Sequence, residues 1–421
     1  MGSASSRRGS LKSPRETVVR TQRRSQSLPS IRKLQSLPED AVPMGKTVDP
    51  VLVTTCPHLP PIGETEKELA VPMGETLDPI QSLPEVAVPI GKTVDPDTVQ
   101  VTTCPHLPPV GKTEKGTLVP QTPPLEEERD GYESVPALYN LMNDGFRLPF
   151  IHSPEYMLIL DVREHASFEE SHILTARTHT AVDTDYDCSL DSGKLKRFTH
   201  IVLYDDCSEA EEANLVLTNL AERLRTQGLD PAVLIGGYSA FNKAYPFLCN
   251  DLLIRSERDR AREIRTYPSE VIEGALYQGN AKHSSNRKVI ENLGITHVVN
   301  ATTECSNAFE GECKYLHLKY ADELSSNMKH RLPTAADFIA DALRSGGRVL
   351  VHCVEGISRS STITIAFLMK YRGWSLMDAL SFLKSKRPKA RPNRAFLIQL
   401  GDLERELFGK KITDVEEVYM S

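Results

Sequence analysis

The sequence predicts an α/β protein, two folded parts behind a long segment with no core of its own. Three observations carry this. Short β-branched and apolar runs alternate with helical patterns over residues 132–250 and again over 266–409, which implies mostly parallel central sheets flanked by helices. Residues 1–131 lack sustained periodicity and are crowded with Pro, Ser, Thr and Glu. They bury too little apolar surface to offset chain entropy and read as disordered. A charged run, 251–265, reads as an exposed helical linker between the folded parts, and 410–421 as a tail.

Bulk properties narrow the function classes. The chain has 421 residues and a net charge of −7, which gives no overall attraction for nucleic acid. No apolar run approaches the length of a membrane span, and no signal-peptide core follows Met1. The eight cysteines are scattered without paired spacing. That favours reduced thiols in the cytoplasm or nucleus over a disulfide framework or a zinc site.

Taken in order, 1–131 first shows an internal repeat. Ala41-Val42-Pro43-Met44-Gly45-Lys46-Thr47-Val48-Asp49-Pro50 recurs at 87–96, and Cys56-Pro57-His58-Leu59-Pro60-Pro61 recurs at 104–109. The doubled Cys-Pro-His reads as a duplicated, extended linker and not as a metal clip. Met1-Gly2 with Ser6 matches a myristoylation pattern at Gly2. Arg7, Arg8, Lys12 and Arg15 supply the basic second signal that one acyl chain needs to hold a membrane. Arg24-Ser25-Gln26-Ser27-Leu28-Pro29 resembles a 14-3-3 ligand once Ser27 is phosphorylated. Phosphates on Ser25 or Ser27 would also loosen a membrane hold.

In 132–250, Tyr156-Met157-Leu158-Ile159-Leu160-Asp161-Val162-Arg163 and His200-Ile201-Val202-Leu203-Tyr204 read as buried strands. Residues 210–226 read as a helix, and 231–238 as a third strand ending in a turn. On Leu160-Asp161-Val162-Arg163, Ser171-His172-Ile173 and Gly236-Gly237-Tyr238 this part resembles a rhodanese-like domain. The resemblance implies a persulfide cysteine directly after Tyr204. That position is Asp205, and Cys207 lies two residues on among Glu209, Glu211 and Glu212, which repel anions. The domain is expected to bind and not to catalyse.

In 266–409, residues 333–343 read as an amphipathic helix with Phe338, Ile339 and Leu343 inward. Ser375 with Asp378 makes a capping box after Trp374, itself a core residue. The chemistry concentrates in Val349-Leu350-Val351-His352-Cys353-Val354-Glu355-Gly356-Ile357-Ser358-Arg359-Ser360. The run opens as a buried strand and ends on a helix, 361–371, stopped by Gly373. A loop folded onto a helix N-terminus aims several backbone N–H groups at one point, a cradle for phosphate formed by 354–359. Arg359 can grip two phosphate oxygens in its own plane. Such a field favours the thiolate of Cys353, a nucleophile placed for in-line phosphoryl transfer. Gly356 lets the backbone approach the anion. The hydroxyl of Ser360 eases the thiolate's later departure, and His352 is expected to orient the loop and tune the thiolate from behind. Cys-x5-Arg alone is a weak motif. With His352, Gly356, Ser358 and Ser360 added, chance supplies roughly one match in 10⁵.

Residues 352–360 look like the phosphate loop of the cysteine-based protein phosphatases, in the form used by the dual-specificity group. The resemblance covers 266–409, through Leu276-Tyr277-Gln278-Gly279-Asn280, Ile295-Thr296-His297-Val298-Val299-Asn300 and Arg391-Pro392-Asn393. It implies a general acid at Asp322, worth about 10²–10⁴ in rate, with Glu323 as its neighbouring rival. It implies Asn393 as a loop buttress, and a reaction without metal or cofactor. The domain order resembles the MAP-kinase phosphatases and their STYX-like relatives. That implies hydrolysis of phosphotyrosine and phosphoserine/threonine in phosphorylated proteins, MAP kinases among them. Residues 181–190 are acidic where the MAP-kinase phosphatases carry docking arginines, and the nearest basic group is Lys194-Leu195-Lys196-Arg197. Together with Ile412-Thr413-Asp414 and Tyr419, this tilts the ancestry towards the STYX-like branch. The alternative is a scaffold that captures phosphoproteins without turnover. Pseudoenzymes of that kind have lost the cysteine or its histidine, and both stand here.

Overall fold

The computed structural model describes residues 106–107, 110–113, 116–124, 130–145, 149–180, 192–207 and 214–420. Gly2, Ser25, Ser27, the first repeat copies, the acidic stretch 181–190 and Glu209, Glu211 and Glu212 lie outside the described residues.

Residues 132–250 form strands β1 (Tyr132–Glu133), β2 (Met157–Asp161), β3 (His172–Ile173), β4 (Arg177–Thr178), β5 (His200–Tyr204), β6 (Pro231–Leu234) and β7 (Cys249–Asn250). The main sheet runs β1-β6-β5-β2-β4 with parallel neighbours, and β3 pairs antiparallel with β7. All five residues of β2 are buried, as a strand covered on both faces requires. The predicted third strand is shorter than expected. β6 stops at Leu234, and Gly236-Gly237-Tyr238 opens the helix Gly237–Ala244. Gly236 and Gly237 have φ of 74° and 58°, and a Cβ on Gly237 would lie 2.5 Å from the carbonyl oxygen of Asp205.

Residues 266–409 form β8 (Ser269–Ile272), β9 (Leu276–Gly279), β10 (His297–Asn300), β11 (Lys314–His317) and β12 (Val349–His352). Their order is β11-β10-β12-β9-β8, parallel except for β8 against β9. One face of this sheet carries the helix Arg359–Arg372, wrapped by the helices Leu332–Arg344, Leu376–Lys386 and Arg394–Phe408 in one apolar core. Ile339 and Leu343 point into it as predicted. Phe338 is half-buried, edge-on to His297. Trp374 is a core residue against Phe382.

The other face of the sheet shares a core with the preceding domain. Tyr139 and Tyr245, stacked at 4.3 Å, belong to one apolar cluster with Tyr277, Val298 and Leu350. The helix Val135–Asn143 is bonded along the β8 segment. Tyr139 donates to the Pro268 carbonyl, and Asn143 accepts from the Tyr267 N–H. The Asn140 amide makes two bonds to the Glu270 backbone, at 2.9 and 2.8 Å. The expected exposed linker is part of this joint. The helix Glu257–Glu263, opened by a Ser256–Asp259 capping box, buries Arg260, which donates to the Ile151 carbonyl at 2.7 Å.

Two further segments depart from the sequence reading. Part of the stretch expected to be disordered is a strap on the last domain. Val119 N–H bonds to Gly111 O and Thr113 N–H to Thr117 O, closing a turn through Gly116. Leu118 N–H donates to Leu407 O, and Gln121 N–H to Gly373 O. The carbonyls left over at two helix C-terminal ends thereby gain donors, which outweighs the weak local propensity of a Pro-rich chain. The expected tail is likewise docked. Buried Glu404 accepts from the N–H groups of Leu376, Ile412 and Thr413, which sets the helix Val415–Met420 against the body.

Candidate functional site

β12 lies inside its sheet between β10 and β9, so its C-terminal end is fixed from both sides. The loop that follows turns straight into the helix Arg359–Arg372. Cys353 is 1% exposed. Its Sγ accepts from the Gly356 N–H at 3.2 Å and lies 3.4 Å from Ser360 Oγ. Val354 O accepts from the Ala281 N–H and Ile357 O from the Arg391 N–H, so both limbs of the loop are pinned. Glu355 is exposed at the rim.

The back of the loop rests on a residue that the sequence reading missed. Arg387 is 1% exposed and donates from Nε to Gly356 O at 2.8 Å and from Nη1 to Ser269 Oγ at 2.8 Å. Burial pulls its guanidinium down to about 10, still cationic at neutral pH. Its approach explains Gly356, where φ is 69° and a Cβ would stand 2.5 Å from Arg387 Nη2. Within Lys384-Ser385-Lys386-Arg387-Pro388 this arginine looks like one more solvated charge, and the sequence holds no signal to separate it.

Arg359 is already engaged. Its Nη1 donates to both Glu304 carboxylate oxygens, at 3.2 and 2.9 Å, and to Tyr320 O at 2.8 Å. The guanidinium pulls the Glu304 carboxyl down to about 2. Glu304, from the loop after β10, was also missed. Asp322 sits on the opposite side. Its Oδ1 accepts from Ser358 Oγ at 2.8 Å and Asn393 Nδ2 at 3.0 Å, and its Oδ2 lies 3.6 Å from Arg359 Nε. Glu323 is exposed, and its carboxylate accepts from Ser325 Oγ.

Asn393 does more than the expected bracing. Its N–H donates to Ser358 Oγ, which is the loop contact. Its side chain caps the helix Arg394–Phe408 through the Phe396 N–H and holds Asp322. His352 is buried behind the loop. Burial lowers it to about 4, so a neutral imidazole stands there at pH 7. The cation behind the loop that carries Cys353 is the Arg387 guanidinium, bonded to Gly356 O. In the preceding domain, Asp205 fills the expected persulfide position, buried, with its carbonyl bonded to the Tyr238 N–H. Cys207 is exposed.

Two family models match the chain. Residues 276–406 match the family model described as "Dual specificity phosphatase, catalytic domain", and 138–244 match "Rhodanese-like domain". A Dictyostelium discoideum protein named probable rhodanese domain-containing dual specificity protein phosphatase is 38% identical over 173 residues, 41% of this chain and 36% of that one. Human dual specificity protein phosphatase 6 is 31% identical over 318 residues, 60% of this chain and 83% of that protein. The crystal structure of human DUSP28, 29% identical, covers 34% of this chain and 97% of its own, with a TM-score of 0.33. With that human relative above 30% identity over more than four fifths of its length, and with both domain models matched, the chain belongs to the dual-specificity protein phosphatases that carry a rhodanese-like domain.

Proposed function

We propose that the chain hydrolyses phosphotyrosine and phosphoserine/threonine in proteins through a phosphocysteine intermediate. The observation that carries this is Cys353 Sγ held by the Gly356 N–H and beside Ser360 under a helix N-terminus, with Arg359 and Asp322 at the mouth. Phosphate on the substrate takes over the Arg359 guanidinium from Glu304 and the loop N–H groups from Sγ. The thiolate attacks phosphorus, the S–P bond forms and the P–O bond breaks. Asp322 gives its proton to the leaving oxygen. Water then attacks phosphorus, its proton passes to Asp322, and the S–P bond breaks with Ser360 supporting the departing thiolate. Arg359 and the N–H groups hold the charge that spreads over the equatorial oxygens. His352 and Asn393 position the loop and the acid. The resemblance to MAP-kinase phosphatases supports a phosphorylated kinase in the cytoplasm or nucleus as the substrate.

The test is turnover of a small aryl phosphate by the full chain under reducing conditions. Wild type should turn over and Cys353→Ser should lose about 10³-fold or more. Wild type without turnover would favour the second reading, a phosphoprotein-binding scaffold. One observation speaks for that reading, because Arg359 is already closed onto Glu304 and Tyr320 O.

A further inference from the structure

Beside the phosphate loop lies a cavity of 490 Å³ that the reaction does not use. Its floor is apolar, from Leu380, Leu397 and Val418, and it touches Ile357, four residues after Cys353 in the loop. Two cations line it from different elements. Lys384 comes from the helix Leu376–Lys386 and Arg391 from the turn that follows. Neither meets a carboxylate among the described residues; Arg391 stands 6.0 Å from the Tyr419 ring, which closes the cavity from the C-terminal helix. Lys389, a third lining residue, is spent on the Gly145 carbonyl, and Glu416 nearby is paired with Arg394. The Arg391 backbone bond to Ile357 O fixes this wall to the loop itself, at 2.9 Å.

Two cations on the wall of one cavity, without a carboxylate partner among the described residues, favour an anion there. Ile357 joins the cavity to the loop that holds the reacting phosphate, so the same substrate is the nearest source of such an anion. From this geometry we infer that Lys384 and Arg391 form a specificity subsite for an acidic side chain flanking the phosphorylated residue, with Tyr419 as its outer wall. The inference rests on the phosphatase reading given above, and binding separates the two. Phosphopeptides carrying one glutamate at each of the three positions on either side of phosphotyrosine are titrated against the full-length Cys353→Ser chain, each beside its glutamine isostere. Aryl phosphate turnover by the wild type reports on the phosphatase reading alone.

At one or more positions glutamate should bind about three- to tenfold more tightly than glutamine, an advantage that shrinks in 0.5 M salt. Lys384→Ala with Arg391→Ala should erase the advantage and leave the glutamine peptides within about twofold. Lys384→Arg should keep it. No glutamate preference at any position overturns the inference, as does a double variant that keeps the preference or weakens both peptides alike.

Discussion

Arg359 meets two carboxylates before it meets a substrate, and this has a measurable cost. Glu304 competes with phosphate for the Arg359 guanidinium. Glu304→Gln should therefore lower the inhibition constant of inorganic phosphate by about two- to fivefold. With its carboxyl held down to about 2, Glu304 stays ionised throughout pH 5–8, so the gain should be flat across that range. Inhibition of aryl phosphate turnover measures both points; an unchanged constant would make Glu304 a bystander. His352 predicts a pH dependence of stability. Its folded pKa of about 4 lies below the ordinary 6.5, so the unfolded chain binds more protons between those values. Stability falls as pH drops from about 6.5 to about 4, then levels off, a loss of roughly 3 kcal/mol. Buried His283, pushed down by its burial and by Arg387, acts in the same direction. His352→Asn should flatten part of this slope in urea midpoints taken at pH 7 and pH 5.

At the scale of elements, the strap and the helix Arg359–Arg372 depend on each other. Gly373 ends that helix at φ 70°, and a Cβ there would stand 2.8 Å from Val110 and 3.0 Å from Gln121. Gly373→Ala should cost about 1–2 kcal/mol and loosen the strap, read as faster tryptic cleavage after Lys112. Gly294→Ala, at φ 59° with only the Arg348 side chain near, should cost the backbone strain without the cleavage. The same contrast marks what was legible in the sequence. The loop 353–360 could be read because its donors, nucleophile and cation are neighbours in the chain, and β2, β5 and β12 because each is a short continuous apolar run. Arg387 on Ser269, Glu304 on Arg359 and Gln121 on Gly373 are pairings between distant segments, and no local pattern marks them. The linker is the expected helix, but two anchors near the linker and tail escaped the sequence for a related reason. Arg260 and Glu404 look solvated by composition, but each is buried and bonded to backbone groups of distant segments.

For the described residues as a whole, the two domains have one apolar cluster in common and should not melt apart. A single calorimetric transition is expected, with loss of phosphatase activity coinciding with loss of rhodanese-domain signal. Asn140→Ala would leave the Glu270 N–H and carbonyl without partners and should cost about 1–3 kcal/mol, shifting both signals together. Two separate transitions would refute the common core. The strap carries this unity back along the chain. Because it docks on Leu407 and Gly373 yet precedes the rhodanese-like domain, the catalytic unit is discontinuous in sequence, with that domain inserted inside it. A ribosome adding about 5–20 residues per second needs roughly 15–60 s to make the intervening stretch of about 300 residues. For that interval the strap is a finished segment with nothing to dock on, and the catalytic domain becomes whole only when the helices that receive it have been made.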